Sequence, residues 1–421
     1  MAADRAGGGA LRGLGRTLLV VLVLVTVLGQ VVAWTRPSWW EPVLQHHAAQ
    51  YVVVAVGVWR DALGVWNVVL AAALLVIALV GARRRGLDPW RPLPVVTALA
   101  LVSSLGLWTY QVVDAQRVGA DVGVFAPTLP FQRGVVQPDR TVTVGQVDGV
   151  ALSADLYLPQ GASADRRVPV VVNVHGGGFT SGSPRPTAYF PPLLDRGYAV
   201  LDVSYRLATR DRQTWDLAVA DVGCALTWVT RRGPRVGLDP DRVGTMGDSA
   251  GGQLAINAAN LGRSLDPSCG SRDDLPRVSA VVGLYPAVDG SAAYEESALG
   301  RGYGDLYVGG SPREFPERYA FTDSAEHVEE PLRQCRSVVG ACDGAPVLVV
   351  QGGADHLILP DPVRRFADAS RRAGITTRYV ELPGQEHTLG RGLGTVSFGT
   401  LVARDLVLQW FEEHLPASTP D

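Results

Sequence analysis

The chain has 421 residues, 47% of them hydrophobic and only 19% charged, and its mean hydropathy of +0.13 is high for a wholly soluble enzyme, so membrane segments joined to a globular part are expected. The formal net charge is -3 and all 38 basic residues are arginines, dispersed rather than massed among aromatics, which argues against a nucleic-acid binder. Gly 48 and Pro 28 follow no fixed period, which excludes collagen-like and solenoid architectures.

Three apolar stretches without a charged residue come first: Thr17 to Trp34, Ala62 to Ala82 and Leu93 to Val113. As helices rising about 1.5 Å per residue, each covers roughly 27 to 32 Å, the thickness of a bilayer core. Residues 1–113 are therefore expected to form a membrane domain of three transmembrane helices. Pro42 to Trp59 is also uncharged, but Gln45, His46, His47 and Gln50 interrupt it, and its end reads as a lead-in to the second span. The first stretch also has the look of a signal peptide, with Arg12 and Arg16 before it and Val31-Val32-Ala33 near a possible cleavage point. Arg5, Arg12 and Arg16 precede the first span and Arg83, Arg84, Arg85 and Arg91 separate the second from the third, against Arg36 and Arg60 between the first two. Basic residues stay on the cytoplasmic side, so the N-terminus is expected inside and everything after the third span outside. Trp39, Trp40, Trp108 and Tyr110 fall where amphipathic rings favour the membrane interface, and Arg60-Asp61 is expected to be a juxtamembrane pair reaching to water.

Residues 114–139, rich in Gly, Pro and Val, read as a linker or docking segment before a globular domain over 140–418. Thr141 to Val147 and Val150 to Leu158 flank Asp148-Gly149, a two-residue turn that suits an antiparallel hairpin. Short Val-rich runs then alternate with helical stretches. The runs are Val168 to Val174, Tyr198 to Tyr205, Arg242 to Met246, Val278 to Tyr285, Ala345 to Gln351 and Thr377 to Leu382. Apolar runs of this kind suit strands covered on both faces, so the expectation is an α/β domain with a mostly parallel sheet.

Gly247-Asp248-Ser249-Ala250-Gly251-Gly252 sits between a strand and a helix, the context in which Gly-x-Ser-x-Gly lifts a serine hydroxyl above the sheet on a sharp turn. His175-Gly176-Gly177-Gly178-Phe179 comes off an earlier strand, where glycines free backbone N–H groups to stabilise an oxyanion. Ser249 needs a base, which His387 can supply from the loop after the strand Thr377 to Leu382, on the carboxyl edge of the sheet. His327 and His356 are its competitors, while His46 and His47 lie too near the membrane, His175 belongs to the glycine loop and His414 to the last helix. Asp355, just past the strand Ala345 to Gln351, is the carboxylate expected to orient His387. Asp361 reads instead as the N-cap before Pro362, and Asp343 precedes the strand. The chain order Ser249, Asp355, His387 is that of α/β-hydrolases.

At these residues the chain resembles the hormone-sensitive-lipase-like branch of the α/β-hydrolase esterases, close to bacterial carboxylesterases. The likeness runs from about Thr141 to His414 and also includes Tyr205-Arg206-Leu207-Ala208 and Tyr285-Pro286. It implies hydrolysis of carboxylic esters without metal or cofactor, Ser249 as nucleophile, and Gly177, Gly178 and Ala250 as oxyanion donors. Two motifs depart from the family pattern: Thr209-Arg210 stands where Pro-Glu often follows, and Thr388-Leu389 follows the histidine in place of a phenylalanine-bearing sequence. The apolar helices also occupy the place of soluble cap material in relatives, leaving Ala292 to Glu330 as the candidate for a local cap.

The expected protein is thus a multi-pass membrane serine hydrolase with its catalytic domain outside the cytoplasm, acting on a small-molecule or lipid ester. The same machinery also suits an acyltransferase or amidase on envelope substrates, and a non-catalytic binding or sensing module is a third reading. Nothing in the sequence specifies an oligomeric state. In an oxidising compartment, Cys335 and Cys342, separated by a short Gly-containing segment, are the favoured disulfide. Cys224 with Cys269 is the less favoured pair, since Cys224 on a helix also suits a small buried apolar residue.

Overall fold

The computed structural model describes residues 2–84, 92–123, 136–328, 344–390 and 396–417, with side chains from residue 14 onward. The N-terminal part is helical: α1 (Ala2–Trp34), the single turn α2 (Glu41–Leu44), α3 (His47–Leu63), α4 (Trp66–Arg84) and α5 (Pro92–Arg117). Three of these segments, Leu14–Trp34, Trp66–Arg84 and Pro92–Arg117, are long and apolar enough to cross a membrane. Their large apolar side chains, such as Leu24, Val76 and Val102, face outward.

The bounds differ from expectation in ways that matter below. The stretch after His46 is a helix of its own rather than a lead-in. It ends at Gly64, whose positive φ of 51° lets its N–H bond back to the carbonyls of Arg60 and Asp61, so Ala62 belongs to α3, which closes at Leu63, and the second apolar helix starts at Trp66. The third helix continues to Arg117, and its last turns pack on the globular domain, with Trp108 edge-on to Phe398 and Ala115 buried. The start of the expected linker is docked: Arg378 donates to the carbonyl of Val118, Gln409 to that of Gly119 (2.8 Å), and Asp405 accepts the amide of Asp121 (2.8 Å).

The globular part is built on one sheet of eight strands: β1 (Arg140–Val147), β2 (Val150–Tyr157), β3 (Val168–Val174), β4 (Ala199–Val203), β5 (Leu238–Asp248), β6 (Val278–Leu284), β7 (Val347–Gly352) and β8 (Thr377–Leu382). The spatial order is β1-β2-β4-β3-β5-β6-β7-β8. The hairpin β1–β2 turns at Asp148-Gly149, β2 also runs antiparallel to β4, and all later pairs are parallel. Helices α6 (Phe190–Asp195), α7 (Leu217–Arg232), α8 (Ala250–Leu261), α9 (Gly290–Glu296), α10 (Ala298–Tyr307), α11 (Pro316–Thr322), α12 (Pro360–Arg372) and α13 (Phe398–His414) complete the domain.

Alternate strand residues feed two cores, which is why the central strands read as unbroken apolar runs. Val170, Val172 and Val174 point with α7, α8 and α12 to one side, and Val171, Val200 and Met246 with α6, α13 and the end of α5 to the other. The carboxyl edge of the parallel strands carries the loops that bear Ser249, Asp355 and His387, and walls above that edge come from α9, which starts two residues before the expected cap stretch, and from α10 and α11 inside it.

Candidate active site

The turn from β5 into α8 holds Ser249 at φ 54° and ψ -122°, a conformation L residues avoid. Its amide donates to the carbonyl of Leu284 (2.9 Å) and its own carbonyl accepts from Gln253 and Ala287 (both 3.2 Å), so neighbouring backbone sustains the strain. The flanking glycines are required by space: a Cβ on Gly247 would lie 2.3 Å from the Gly251 carbonyl oxygen, and one on Gly251 2.1 Å from that of Val174.

Two more loops meet this turn. His387 Nε2 lies 3.1 Å from Ser249 Oγ, and its Nδ1 lies 2.8 Å from Asp355 Oδ2. Asp355 is wholly buried, and its oxygens accept from Gln351 Nε2 (3.0 Å) and from the amides of Leu357 (2.9 Å) and Ile358 (2.8 Å). That set fixes the carboxylate, and with it the ring tautomer that presents an unprotonated Nε2 to the serine. Burial pushes the His387 imidazole toward the neutral form, but Asp355, reinforced by Glu386 and Asp248, outweighs burial and holds its pKa above the ordinary value. Tyr285, with φ 39°, sets its ring edge-on to His387 at 4.7 Å.

Over residues 154–368, half of the chain, the sequence matches the BD-FAE family model. The chain belongs to the BD-FAE family of α/β-hydrolases. It is 29% identical over 240 residues to the esterase LipQ of Mycobacterium tuberculosis, a match covering 55% of this chain and 53% of that one, so it spans about half of that relative's length. It is 27% identical over 270 residues to the ethyl acetate hydrolase of Pseudomonas putida, covering 64% of this chain and 80% of that protein. Among solved structures, esterase 2 of Thermogutta terrifontis superposes with a TM-score of 0.53 at 23% identity, covering 67% of this chain and 96% of that one, a likeness of fold.

In this BD-FAE member the glycine loop completes the site. Gly177 (φ 126°) and Gly178 (φ 59°) are both left-handed, and a Cβ on Gly177 would strike the Ser181 carbonyl oxygen at 2.0 Å. Gly177, Gly178 and Ala250 all border one cavity of about 430 Å³ that contains Ser249 and His387. Tyr303 and Tyr307 of α10 and Tyr319 of α11 wall the far side, and Phe179 stacks on Tyr307 with centroids 3.7 Å apart. The Tyr205–Ala208 motif props the loop: the Tyr205 hydroxyl donates to the His175 carbonyl (3.1 Å), and the Ala208 amide to that of Phe179 (2.8 Å). Arg206 between them is clamped by Asp221 (2.7 and 2.9 Å), Asp148 (2.8 Å) and Ser268 (2.8 Å). His175 itself stacks on Tyr205 and bonds the Gly176 carbonyl, and burial lowers its pKa.

The competing residues are engaged elsewhere. His327 bonds the Phe321 carbonyl (2.6 Å), and Asp361 lies in the first turn of α12 paired with Arg364 (2.5 Å). Asp361 is not the N-cap expected of it; that place is Leu359. Asp343, Cys335 and Cys342 lie outside the described residues, and the bridge among those described joins Cys224 to Cys269. A larger correction concerns Arg60 and Asp61. They do not reach water: each is 3% exposed, and together they meet the loop carrying His387. Sequence reading also gave no role to Gln351, Glu386 or Gln50, all buried beside the loops of Asp355 and His387.

Proposed function

We propose that the protein is a membrane-anchored serine hydrolase cleaving carboxylic esters on the extracytoplasmic side. The observation that carries the chemistry is the unbroken hydrogen-bonded line Ser249–His387–Asp355 at the edge of a cavity bordered by left-handed glycines. In this reading His387 takes the proton as Ser249 Oγ attacks the ester carbonyl, and the amides of Gly177, Gly178 and Ala250 receive the oxyanion. Asp355 stabilises the imidazolium, which then protonates the departing alcohol, and water cleaves the acyl-enzyme by the same steps. The names borne by the relatives, esterase and ethyl acetate hydrolase, support the substrate class.

The anchor reading takes residues 1–113 as a membrane domain, 114–139 as the connection and 140–418 as the hydrolase domain. Its support is a polarity in the bundle. Arg16 lies toward the start of the first apolar helix and Arg83 and Arg84 at the end of the second, whereas Gly29 near the end of α1 and Gln111 near the end of α5 meet residues tied to the histidine loop. The arginine-flanked ends therefore point away from the hydrolase domain, which suits a cytoplasmic face opposite the active site. Hydrolysis of p-nitrophenyl esters of increasing chain length by the detergent-solubilised full chain, absent in Ser249→Ala, tests the chemistry. An alkaline phosphatase fused after Gln116 tests the side, and an inactive fusion would place Ser249 in the cytoplasm.

A further inference from the structure

The loop between β8 and α13 that carries His387 is an unlikely conformation to find unsupported. Thr388 (φ 72°) and Leu389 (φ 50°) are consecutive left-handed residues without glycine, and each such residue costs on the order of 1 kcal/mol unless its surroundings impose it. Part of those surroundings is local, with the Ser397 and Thr400 hydroxyls donating to the Leu389 carbonyl, and part comes from α3, some 325 residues earlier in the chain. Asp61 Oδ2 accepts the amide N–H of Glu386 at 2.5 Å, and Arg60 donates to the carbonyl of Gly384. The other Asp61 oxygen is gripped by the Arg60 guanidinium (2.7 and 2.9 Å), which also donates to the carbonyl of Gly29 in α1 (3.0 Å). One turn earlier on α3, a Cβ on Gly57 would lie 2.6 Å from the Glu386 carboxyl, so only glycine lets the helix come this close.

The contact then passes into both loops of the site. Glu386, fully buried, accepts the amides of His356 (2.7 Å) and His387 (3.0 Å) on one oxygen and meets His356 Nδ1 (2.8 Å) with the other. The residue before the base is thereby tied to the residue after Asp355. Two turns back along α3, buried Gln50 donates to the His356 carbonyl (3.0 Å) and accepts the Leu299 amide of α10 (2.9 Å), joining the same loop to the cavity wall. A helix that merely anchored a domain would be served by apolar contacts. Burying an arginine and an aspartate carries a desolvation cost of several kcal/mol per ion that their attraction offsets only in a tight geometry. Here the geometry is aimed at two backbone groups beside the base.

We propose that Asp61, held by Arg60, is a positioning residue for His387, so that α3 of the N-terminal segment is part of the apparatus that sets the Ser249–His387 distance. The inference rests on His387 being the base. Loss of the bond from Asp61 frees the Glu386 amide and lets the loop drift, and a displacement of about 1 Å at a catalytic group costs on the order of 10²-fold in rate.

The test uses the full chain in detergent micelles, with Asp61→Ala, the neutral pair Arg60→Gln/Asp61→Asn, and Val53→Ala as a packing control on the same helix. Val53 is buried in α3, and its side chain takes no part in the polar contacts to the site. Readouts are kcat and KM on a short p-nitrophenyl ester, the rate of Ser249 labelling by a fluorophosphonate, and Tm. Asp61→Ala is expected to lower kcat and the labelling rate together by roughly 10- to 100-fold while KM moves less than about threefold. The neutral pair, whose amides can still accept from Glu386 and donate to Gly384, is expected to recover most of that loss, and Val53→Ala to lower Tm while keeping kcat. Wild-type kcat in Asp61→Ala overturns the proposal, as does a neutral pair no faster than Asp61→Ala. So does a loss in Val53→Ala equal to that in Asp61→Ala at matched Tm. If Asp61→Ala does not fold, the apolar pair Arg60→Met/Asp61→Leu, which buries no charge and keeps neither polar contact, takes its place: a kcat well below that of the neutral pair supports the proposal and a wild-type kcat overturns it. A wild-type chain that neither hydrolyses the ester nor takes the label would instead sink the esterase reading itself.

Discussion

The serine turn and the histidine loop solve the same problem from different sources. Ser249 is held in a strained conformation by its own sheet: β5 before it, α8 after it, and a bond to the end of β6. The strained Thr388–Leu389 turn beside His387 is held from two sides: the Ser397 and Thr400 hydroxyls of its own domain donate to the Leu389 carbonyl, and the residues just before His387 lean on α3, through Asp61, Arg60 and Gly57. A nucleophile whose geometry is written into one local motif travels with that motif. A base whose geometry depends on distant partners can be tuned, or lost, by changes far from the chemistry.

The largest effect expected is on the locally built half. Ser249→Ala removes the proposed nucleophile without touching the packing around it, so kcat should fall by on the order of 10⁴-fold or more while Tm stays within a degree or two of wild type. Retained turnover would show that another group attacks. Asp355→Asn comes next and probes the other half. The carboxylate raises the His387 pKa, so in the wild type the neutral base appears only as pH climbs past a value above 6.5, and kcat/KM should rise along that limb. Taking away the charge removes the raising influence: the limb should move to lower pH, with a plateau lowered by roughly 10⁴-fold. A pH–rate profile whose limb stays in place in Asp355→Asn would disconnect Asp355 from the base.

Gly178→Ala sharpens the comparison from the side of the glycine loop. The new Cβ would sit 2.3 Å from the Tyr303 ring and would add a left-handed alanine at φ 59°. Loss of one well-aimed oxyanion donor costs about 10²-fold in kcat, so a decrease of that order is expected. Adding Tyr303→Ala relieves the collision but not the backbone cost, and should restore activity only in part. Full restoration would mean that glycine is needed at 178 to leave room for the ring and not to hold the amide in its left-handed conformation.

These differences also explain what could be read from the sequence. Motifs that shape themselves announce themselves: Gly247 to Gly252 and the glycines after His175 are there because neighbouring backbone leaves no room for a Cβ. The meeting of Asp355 with His387 is legible from their places after β7 and β8. Arg60-Asp61 was misread because a charged pair beside an apolar run is usually solvated, and its partners here are backbone groups of residues 384 and 386, which leave no complementary side chain in the sequence. The segment after Val113 looked like a linker for a similar reason. Its Gly and Val residues hide a helix that continues to Arg117 and carbonyls at positions 118 and 119 that side chains of β8 and α13 capture. Cysteine spacing favours Cys335 with Cys342, which lie outside the described residues, and ranks lower the bridge that is seen, whose cysteines are 45 residues apart and meet only through the fold.

That bridge gives the smallest expected effect on catalysis and the cleanest separation of stability from chemistry. Cys224 on α7 and Cys269 pack into the bulge of β1, where a Cβ on Gly145 would fall 2.4 to 2.5 Å from the two sulfurs, so the bond ties α7 to the segment between α8 and β6 while both sulfurs rest against the edge hairpin. The neighbouring Ser268 bonds Arg206, whose motif props the glycine loop, so the bridge reaches the site only through two intermediaries. Closing a loop of 45 residues is worth about 4 kcal/mol by chain entropy alone. Cys224→Ala/Cys269→Ala is therefore expected to lower Tm by several degrees, and reductant should do the same to the wild type but nothing further to the variant, as thermal melts with and without dithiothreitol would show. At 25 °C, kcat should stay within about twofold, because Arg206 keeps Asp221 and Asp148 when the loop at Ser268 loosens. A kcat loss approaching that of Gly178→Ala would show that the glycine loop, like the histidine loop, depends on a distant brace, and the contrast between the two halves of the site would dissolve.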